Sequence, residues 1–157
     1  MIVHPIPPFY NSNSRILILG SFPSVKSREM MFFYGHPQNR FWKVAAAIFE
    51  EDFPETVEER KHFLERNRIA AWDVIKSCDI VGSSDASIKN VTPNDLSEIL
   101  NVAPIENIYV NGKTAERLFI KYTEKKIGRK AIALPSTSPA NAAWNLERLI
   151  DAWSVIR

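Results

Sequence analysis

The chain has 157 residues, of which 45% are hydrophobic and 24% charged, and its formal net charge is only +2. These values predict one globular domain over residues 1–157, which we expect to be monomeric, and exclude a strongly basic protein that wraps DNA. One cysteine, Cys78, excludes an intramolecular disulfide and a four-cysteine cluster, and three scattered histidines argue against a zinc site. We therefore expect no metal and no cofactor. No long apolar run and no basic leader is found, which predicts a cytoplasmic protein without a membrane partner.

Apolar strands and amphipathic helices alternate along the chain after an extended lead-in over residues 1–14, which is rich in Pro, Asn and Ser. Four apolar stretches predict strands, at residues 15–21, 69–74, 108–110 and 131–134. Helical spacing and capping residues predict helices that start near Pro37 and that cover residues 56–67, 92–100, 113–122 and 141–155. This order predicts an α/β fold of three layers, α/β/α, around a central, mainly parallel four-stranded sheet.

Three turns of unusual composition follow predicted strands. Residues 20–23 read Gly-Ser-Phe-Pro after the first strand, Asn111 and a glycine follow the third, and residues 135–138 read Pro-Ser-Thr-Ser after the last. The carboxyl ends of parallel strands lie at one edge of a sheet, and open α/β sheets bind ligands at that edge. The sequence therefore predicts that these turns form one site.

A fourth segment, residues 33–42, concentrates side chains that packing alone does not require. It reads Phe-Tyr-Gly-His-Pro-Gln-Asn-Arg-Phe-Trp and places the aromatic ring of Tyr34 near the amide of Asn39. The chain contains neither a Gly-x-Gly-x-x-Gly loop nor a Gly-Lys-Ser/Thr loop for nucleotide phosphates. Aromatic faces, amides and hydroxyls suit a flat heterocycle that is stacked and read along its hydrogen-bonding edge, as flipped bases are.

The Gly-x-x-Pro turn at 20–23, the His-Pro-x-Asn-Arg-Phe-Trp segment at 36–42 and the Pro-Ser-rich segment at 135–140 together resemble the uracil-DNA glycosylase superfamily. The resemblance is greatest to its hypoxanthine (deoxyinosine) branch, with the mismatch-specific uracil branch also similar. It implies a monofunctional DNA glycosylase that flips a deaminated base out of double-stranded or single-stranded DNA and hydrolyses its N-glycosidic bond in base excision repair. Deoxyinosine would be the preferred substrate, and the cytoplasmic enzyme would associate with the nucleoid when it acts on DNA.

The resemblance also assigns roles to individual residues. Many relatives carry a catalytic Asn or Asp where this chain has Phe22, so the task of orienting the attacking water passes to Asn39, as in the hypoxanthine branch. Tyr34 is expected to stack on the extruded base, and the other base-binding candidates are Gly20, Ser21, Phe22, His36 and Asn111. Candidates for DNA contact include the wedge residues Pro139 and Ala140, and the full set is Arg40, Ser136, Thr137, Ser138, Pro139 and Ala140.

Several alternatives stay open at the level of sequence. Asn39 could satisfy backbone groups in the first turn of a helix, Tyr34 could be a rim aromatic, and Asn111 could cap the following helix. Asp85, in a polar loop, is either a turn residue or a site residue. The chain could instead be a uracil glycosylase acting on G:U pairs, or an inactive nucleic-acid-binding module of the same fold. A hydrolase of free nucleosides fits less well, because the Pro-Ser loop suits the opening of a duplex.

Overall fold

The computed structural model describes residues 1–157 and contains seven strands and seven α-helices. The strands are β1 (Ile2–Val3), β2 (Ile16–Gly20), β3 (Ile69–Asp73), β4 (Ile75–Asp79), β5 (Lys89–Pro93), β6 (Asn107–Asn111) and β7 (Ile132–Leu134). The helices are α1 (Val25–Met30), α2 (Phe41–Phe49), α3 (Val57–Arg66), α4 (Ser97–Val102), α5 (Lys113–Tyr122), α6 (Glu124–Ile127) and α7 (Leu146–Trp153). None of these helices has the length and apolar character needed to cross a membrane.

The central sheet has four parallel strands in the order β3-β2-β6-β7. All five residues of β2 are buried, and they alternate between two cores because successive side chains of a strand point to opposite faces. Ile16 and Ile18 pack in a core with side chains of α2, α3 and α7. Leu17 and Leu19 pack on the other side with side chains of α4 and α5. The three-layer α/β/α prediction is confirmed.

A second sheet, which the sequence did not predict, joins β1, β4 and β5 in antiparallel pairs. Its presence corrects the helix predicted over 92–100, because Thr92 and Pro93 end strand β5 and the helix begins only at Ser97. Strand β5 pairs only with β4, so it is an edge strand. An edge strand accommodates Pro93 because the missing N–H can face away from the ladder.

Two further helices begin later than predicted, and in each case the polar residues before the helix form a loop. Helix α2 starts at Phe41 rather than near Pro37, and its Phe41 N–H donates to Asn39 Oδ1 at 2.9 Å. Helix α7 starts at Leu146 rather than at 141, with the Asn145 side chain accepting from the Arg148 N–H. These longer loops lie at the carboxyl edge of the central sheet, where they line the cavity described next.

Candidate active site

A cavity of about 530 Å³ lies at the carboxyl ends of the central strands. Its walls come from the turn after β2, residues 33–39, the end of β3, a loop at 83–86, the end of β6 and the loop at 136–140. It brings together all of the predicted site residues except Arg40. The rule that parallel strands share one functional edge therefore located the cavity, whereas the chemical role of each residue stays a prediction.

Tyr34 forms an aromatic wall of this cavity. Its backbone has a φ of 53°, a left-handed conformation that is uncommon outside glycine and concentrates at functional sites. Its ring stacks on Phe41 at a centroid distance of 4.2 Å and an angle of 20°, and Phe41 is itself fixed in the core. The hydroxyl is buried and makes no hydrogen bond of normal geometry. Burial raises the pKa of Tyr34 and the charge of Asp73 raises it further, whereas the nearby Asn111 amide opposes the shift.

Asn39 is held by two hydrogen bonds to the same atom. Its Oδ1 accepts from the Phe41 N–H and from the hydroxyl of Thr137, both at 2.9 Å. Asn39 thus satisfies a backbone group at the start of α2, which is the structural alternative that the sequence left open for this residue. Because Oδ1 is committed to the protein, the orientation of the amide is set and Nδ2 is the atom left to bind a ligand or a water. An amide N–H can hold the oxygen of a water but cannot take its proton.

Asn111 reaches across to the Pro-Ser loop. Its Nδ2 donates to Thr137 Oγ1 at 3.0 Å, and its Oδ1 accepts from the Thr137 N–H at 3.1 Å. Helix α5 has no side-chain cap, so the alternative that Asn111 caps it is wrong. Asn39, Thr137 and Asn111 instead form one chain of hydrogen bonds that joins three separate segments of the cavity wall.

Two of the residues predicted to contact DNA are turned into the protein. Thr137 is fully buried, and its hydroxyl is engaged by Asn111 and Asn39. The Arg40 guanidinium donates to backbone carbonyls of Ser138 at 3.0 Å and of Asn141 at 3.2 Å, and also to that of Trp144. These donors hold the conformation of the loop, although Arg40 Nε is buried without a partner. That the two residues contact DNA stays a prediction.

The remaining loop residues differ in exposure. Ser136 Oγ accepts from the Ser138 N–H, and Ser138 Oγ accepts from the Ala140 N–H, so both hydroxyls shape consecutive turns. Pro139 and Ala140 are exposed at the tip of the loop. Their position is compatible with the predicted wedge, which stays a prediction.

His36 and Phe22 also line the cavity. His36 Nδ1 accepts from the Gln38 N–H at 3.1 Å, which closes a tight turn before α2. Phe22 is buried and meets the ring of His4 edge-on at 5.7 Å. Phe22 therefore contributes an apolar wall, with no polar atom that could orient water.

The sequence interpretation did not assign His4 and Asp73 to the site, and it left Asp85 open. Asp73 ends β3 and accepts from His4 Nε2 at 2.7 Å, with both side chains almost fully buried. Asp85 Oδ1 accepts from the Ser21 hydroxyl at 3.2 Å. Desolvation raises the pKa of Asp85, and the charge of Asp73 raises it further, although hydrogen bonds from Ser21 and Thr114 oppose this. The strand-edge rule could have found Asp73, because it is the last polar residue of the strand predicted at 69–74.

The chain is similar to known proteins over nearly its whole length. The family model of the uracil DNA glycosylase superfamily matches residues 7–157. A Methanosarcina acetivorans protein named hypoxanthine DNA glycosylase is 33% identical over 159 residues, covering 100% of this chain and 99% of the relative. A Methanosarcina barkeri protein of the same name is 38% identical over 109 residues, covering 68% of this chain and 69% of the relative.

The structure is similar to the solution NMR structure of a Methanosarcina acetivorans protein that is provisionally assigned as a uracil DNA glycosylase. The TM-score is 0.84 and the sequence identity 32%, with 100% of this chain and 98% of the other covered. The family model accounts for nearly the whole chain, and the full-length relative shares a third of its residues. The chain belongs to the uracil DNA glycosylase superfamily.

Proposed function

We propose that this DNA glycosylase is monofunctional and releases hypoxanthine from deoxyinosine in double-stranded DNA as a step of base excision repair. The observation that carries the proposal is the pairing of Tyr34, stacked on Phe41, with an Asn39 amide of set orientation in one cavity. The two relatives named hypoxanthine DNA glycosylase support the choice of base. Phe22 supports it too, because the position at which many relatives carry the catalytic Asn or Asp then holds no polar side chain.

The reaction needs a positioned water and stabilisation of developing charge. The C1′–N9 bond breaks with its electron pair leaving on the base, and the water oxygen bonds to C1′. The proton that the water loses passes through solvent to the departing base, which leaves as neutral hypoxanthine. Asn39 Nδ2 would hold that water, since its Oδ1 is already bound by the protein. Such positioning lowers the barrier because a bimolecular step becomes effectively unimolecular.

The base would be held by stacking on Tyr34. Phe41 covers one face of the tyrosine ring and is fixed in the core, so the ring is presented as a rigid surface. Stacking of one base on an aromatic side chain contributes roughly 1–3 kcal/mol. The exposed tip at Pro139 and Ala140, held from behind by Arg40, would fill the gap that the base leaves in the duplex.

A panel of labelled duplexes tests this proposal. Each duplex carries inosine, uracil, xanthine or thymine opposite each normal base and is incubated with excess protein and then with alkali, which cleaves at abasic sites. We expect the fastest strand cleavage at inosine and no cleavage before alkali, because the chain has no lysine in its motifs to form a Schiff base. Faster cleavage at uracil would favour the uracil alternative, and no cleavage at any base would favour the inactive binding module.

A further inference from the structure

A buried carboxylate on the floor of the cavity has one oxygen free of protein donors. Asp73 is only 4% exposed, and its Oδ2 accepts from His4 Nε2 at 2.7 Å. The other oxygen, Oδ1, receives no hydrogen bond from the protein and lies beside Gly20, at the edge of the cavity. This oxygen is accessible from the cavity, so a ligand that displaces water from it must bring an N–H or O–H group to avoid leaving the carboxylate unpaired.

His4 determines which role this carboxylate can play. His4 Nδ1 accepts from the Ile6 N–H at 3.1 Å, so the ring proton is on Nε2 and is donated to Asp73. Aromatic rings of Phe22, Phe33 and Trp72 surround the imidazole. This packing fixes the ring and hence the carboxylate, which presents Oδ1 to the cavity as an acceptor in a set position.

Gly20 keeps this acceptor accessible. Gly20 and Asp73 are partners in the register of β2 and β3, and both lie at the carboxyl edge of the sheet. A Cβ atom on Gly20 would lie 2.4 Å from Asp73 Oδ1 and 3.4 Å from the Tyr34 hydroxyl. The carboxylate oxygen and the unpartnered phenol therefore border the same small space. A base stacked on Tyr34 would have its edge at this space.

Deamination changes the hydrogen-bonding character of a base at one ring nitrogen. Adenine N1 is an acceptor, whereas N1 of hypoxanthine carries a proton and is a donor. We propose that Asp73, positioned by His4, accepts a hydrogen bond from the N1–H of the flipped base and so selects hypoxanthine against adenine. The inference rests on the proposed function. A site built to bind an N–H rejects the analogue that lacks it, because its own buried acceptor is then left unpaired.

Asp85 is the competing carboxylate. It is exposed at the rim of the cavity, and its Oδ1 accepts from the Ser21 hydroxyl. Asp73 is favoured because it is buried, has a free oxygen toward Gly20 and is fixed by a histidine that is itself buried. The two carboxylates can be separated by parallel substitutions to asparagine.

The test compares single-turnover rates on duplexes that carry deoxyinosine or deoxynebularine, whose purine base has no N1–H. Wild-type protein should process inosine about 10²-fold faster than nebularine, the scale of losing a hydrogen bond to a buried charged group. Asp73→Asn should lose most of the rate on inosine but little on nebularine, so that the ratio of the two rates collapses. Asp52→Asn, at an exposed position outside the cavity, is the matched control and should leave both rates unchanged.

Four outcomes would overturn the assignment. Wild-type protein could process nebularine as fast as inosine, a test that needs no variant. Asp73→Asn could slow both substrates equally, which would place Asp73 at the sugar or the water, or it could leave both rates at the wild-type level. If the ratio collapsed in Asp85→Asn alone, Asp85 at the rim, and not Asp73, would accept the hydrogen bond from N1–H.

A further variant covers the case in which Asp73→Asn does not fold, as judged by thermal unfolding and by binding to an abasic duplex. His4→Gln leaves the carboxylate in place but removes the imidazole that fixes it, and we expect a partial loss of the same ratio. An unchanged ratio in a folded His4→Gln protein would contradict the positioning role. If wild-type protein cleaves no deaminated base at all, the proposed function fails, whereas cleavage of inosine with an unaltered ratio overturns only the role of Asp73.

Discussion

Replacing Thr137 with valine removes one hydroxyl from the centre of the site at nearly constant volume. That hydroxyl accepts from Asn111 Nδ2 at 3.0 Å and donates to Asn39 Oδ1 at 2.9 Å, and Thr137 is fully buried. A typical hydrogen bond contributes about 1 kcal/mol net, and a buried group left unpaired costs about 1–3 kcal/mol. Asn111 is partly accessible and can recruit water, so we expect a loss of about 2 kcal/mol in the free energy of unfolding.

The same substitution should lower the rate of base release. Asn39 would keep its bond from the Phe41 N–H but lose the second restraint on its amide, so we expect single-turnover cleavage of an inosine duplex to fall about 10-fold or more. Thr137→Ser is the matched control, because it keeps the hydroxyl and removes only a methyl group. It should retain the rate while losing about 1 kcal/mol of stability. A wild-type rate in a folded Thr137→Val protein would refute the view that this hydroxyl positions Asn39.

Three further predictions follow from the contacts around the cavity. Gly20→Ala should destabilise the protein by about 1–3 kcal/mol and abolish base release, because the added Cβ would lie 2.4 Å from Asp73 Oδ1. A Gly20→Ala protein with normal thermal unfolding and normal activity would contradict this. Arg40→Gln should lower the melting temperature but leave the salt dependence of DNA binding unchanged, since its donors bind loop carbonyls; a slope reduced by about one unit would reveal a phosphate contact. Because the pKa of Asp85 is raised in the folded state, ionisation of Asp85 costs stability above about pH 4. Denaturant unfolding should therefore show that the stability of Asp85→Asn relative to wild type increases as the pH rises from acid to neutral. A stability gain found only at acid pH would contradict a raised pKa.

The central sheet could be predicted because its strands are short apolar runs, and those of β2, β3 and β6 are buried on both faces. All five residues of β2 are buried, so its sequence carries the signal by itself. The second sheet carries no such signal. Strand β1 has two residues and pairs with Cys78 and Ser77, far along the chain. Pairing between residues so far apart in sequence depends on tertiary structure, which local sequence patterns do not reveal.

The cavity was predictable for the same reason, since turns at strand ends of a parallel sheet share one edge. The hydrogen-bond partners of each side chain could not be predicted from the sequence. Arg40 looked like a phosphate ligand because it lies within a motif, yet its acceptors are backbone carbonyls in the loop before α7. His4 lies in a proline-rich segment with no functional pattern, and only the fold brings it to Asp73. Polar networks of this kind form between segments distant in sequence.

The central claim is that Asn39 positions the attacking water, and single-turnover kinetics of Asn39→Ala on an inosine duplex test it most directly. Asn13→Ala, which removes an exposed amide outside the cavity, is the matched control. We expect the rate of Asn39→Ala to fall by about 10²-fold or more, while binding to an abasic duplex persists because phosphate contacts come from other groups. A folded Asn39→Ala protein that releases hypoxanthine at the wild-type rate would contradict the account.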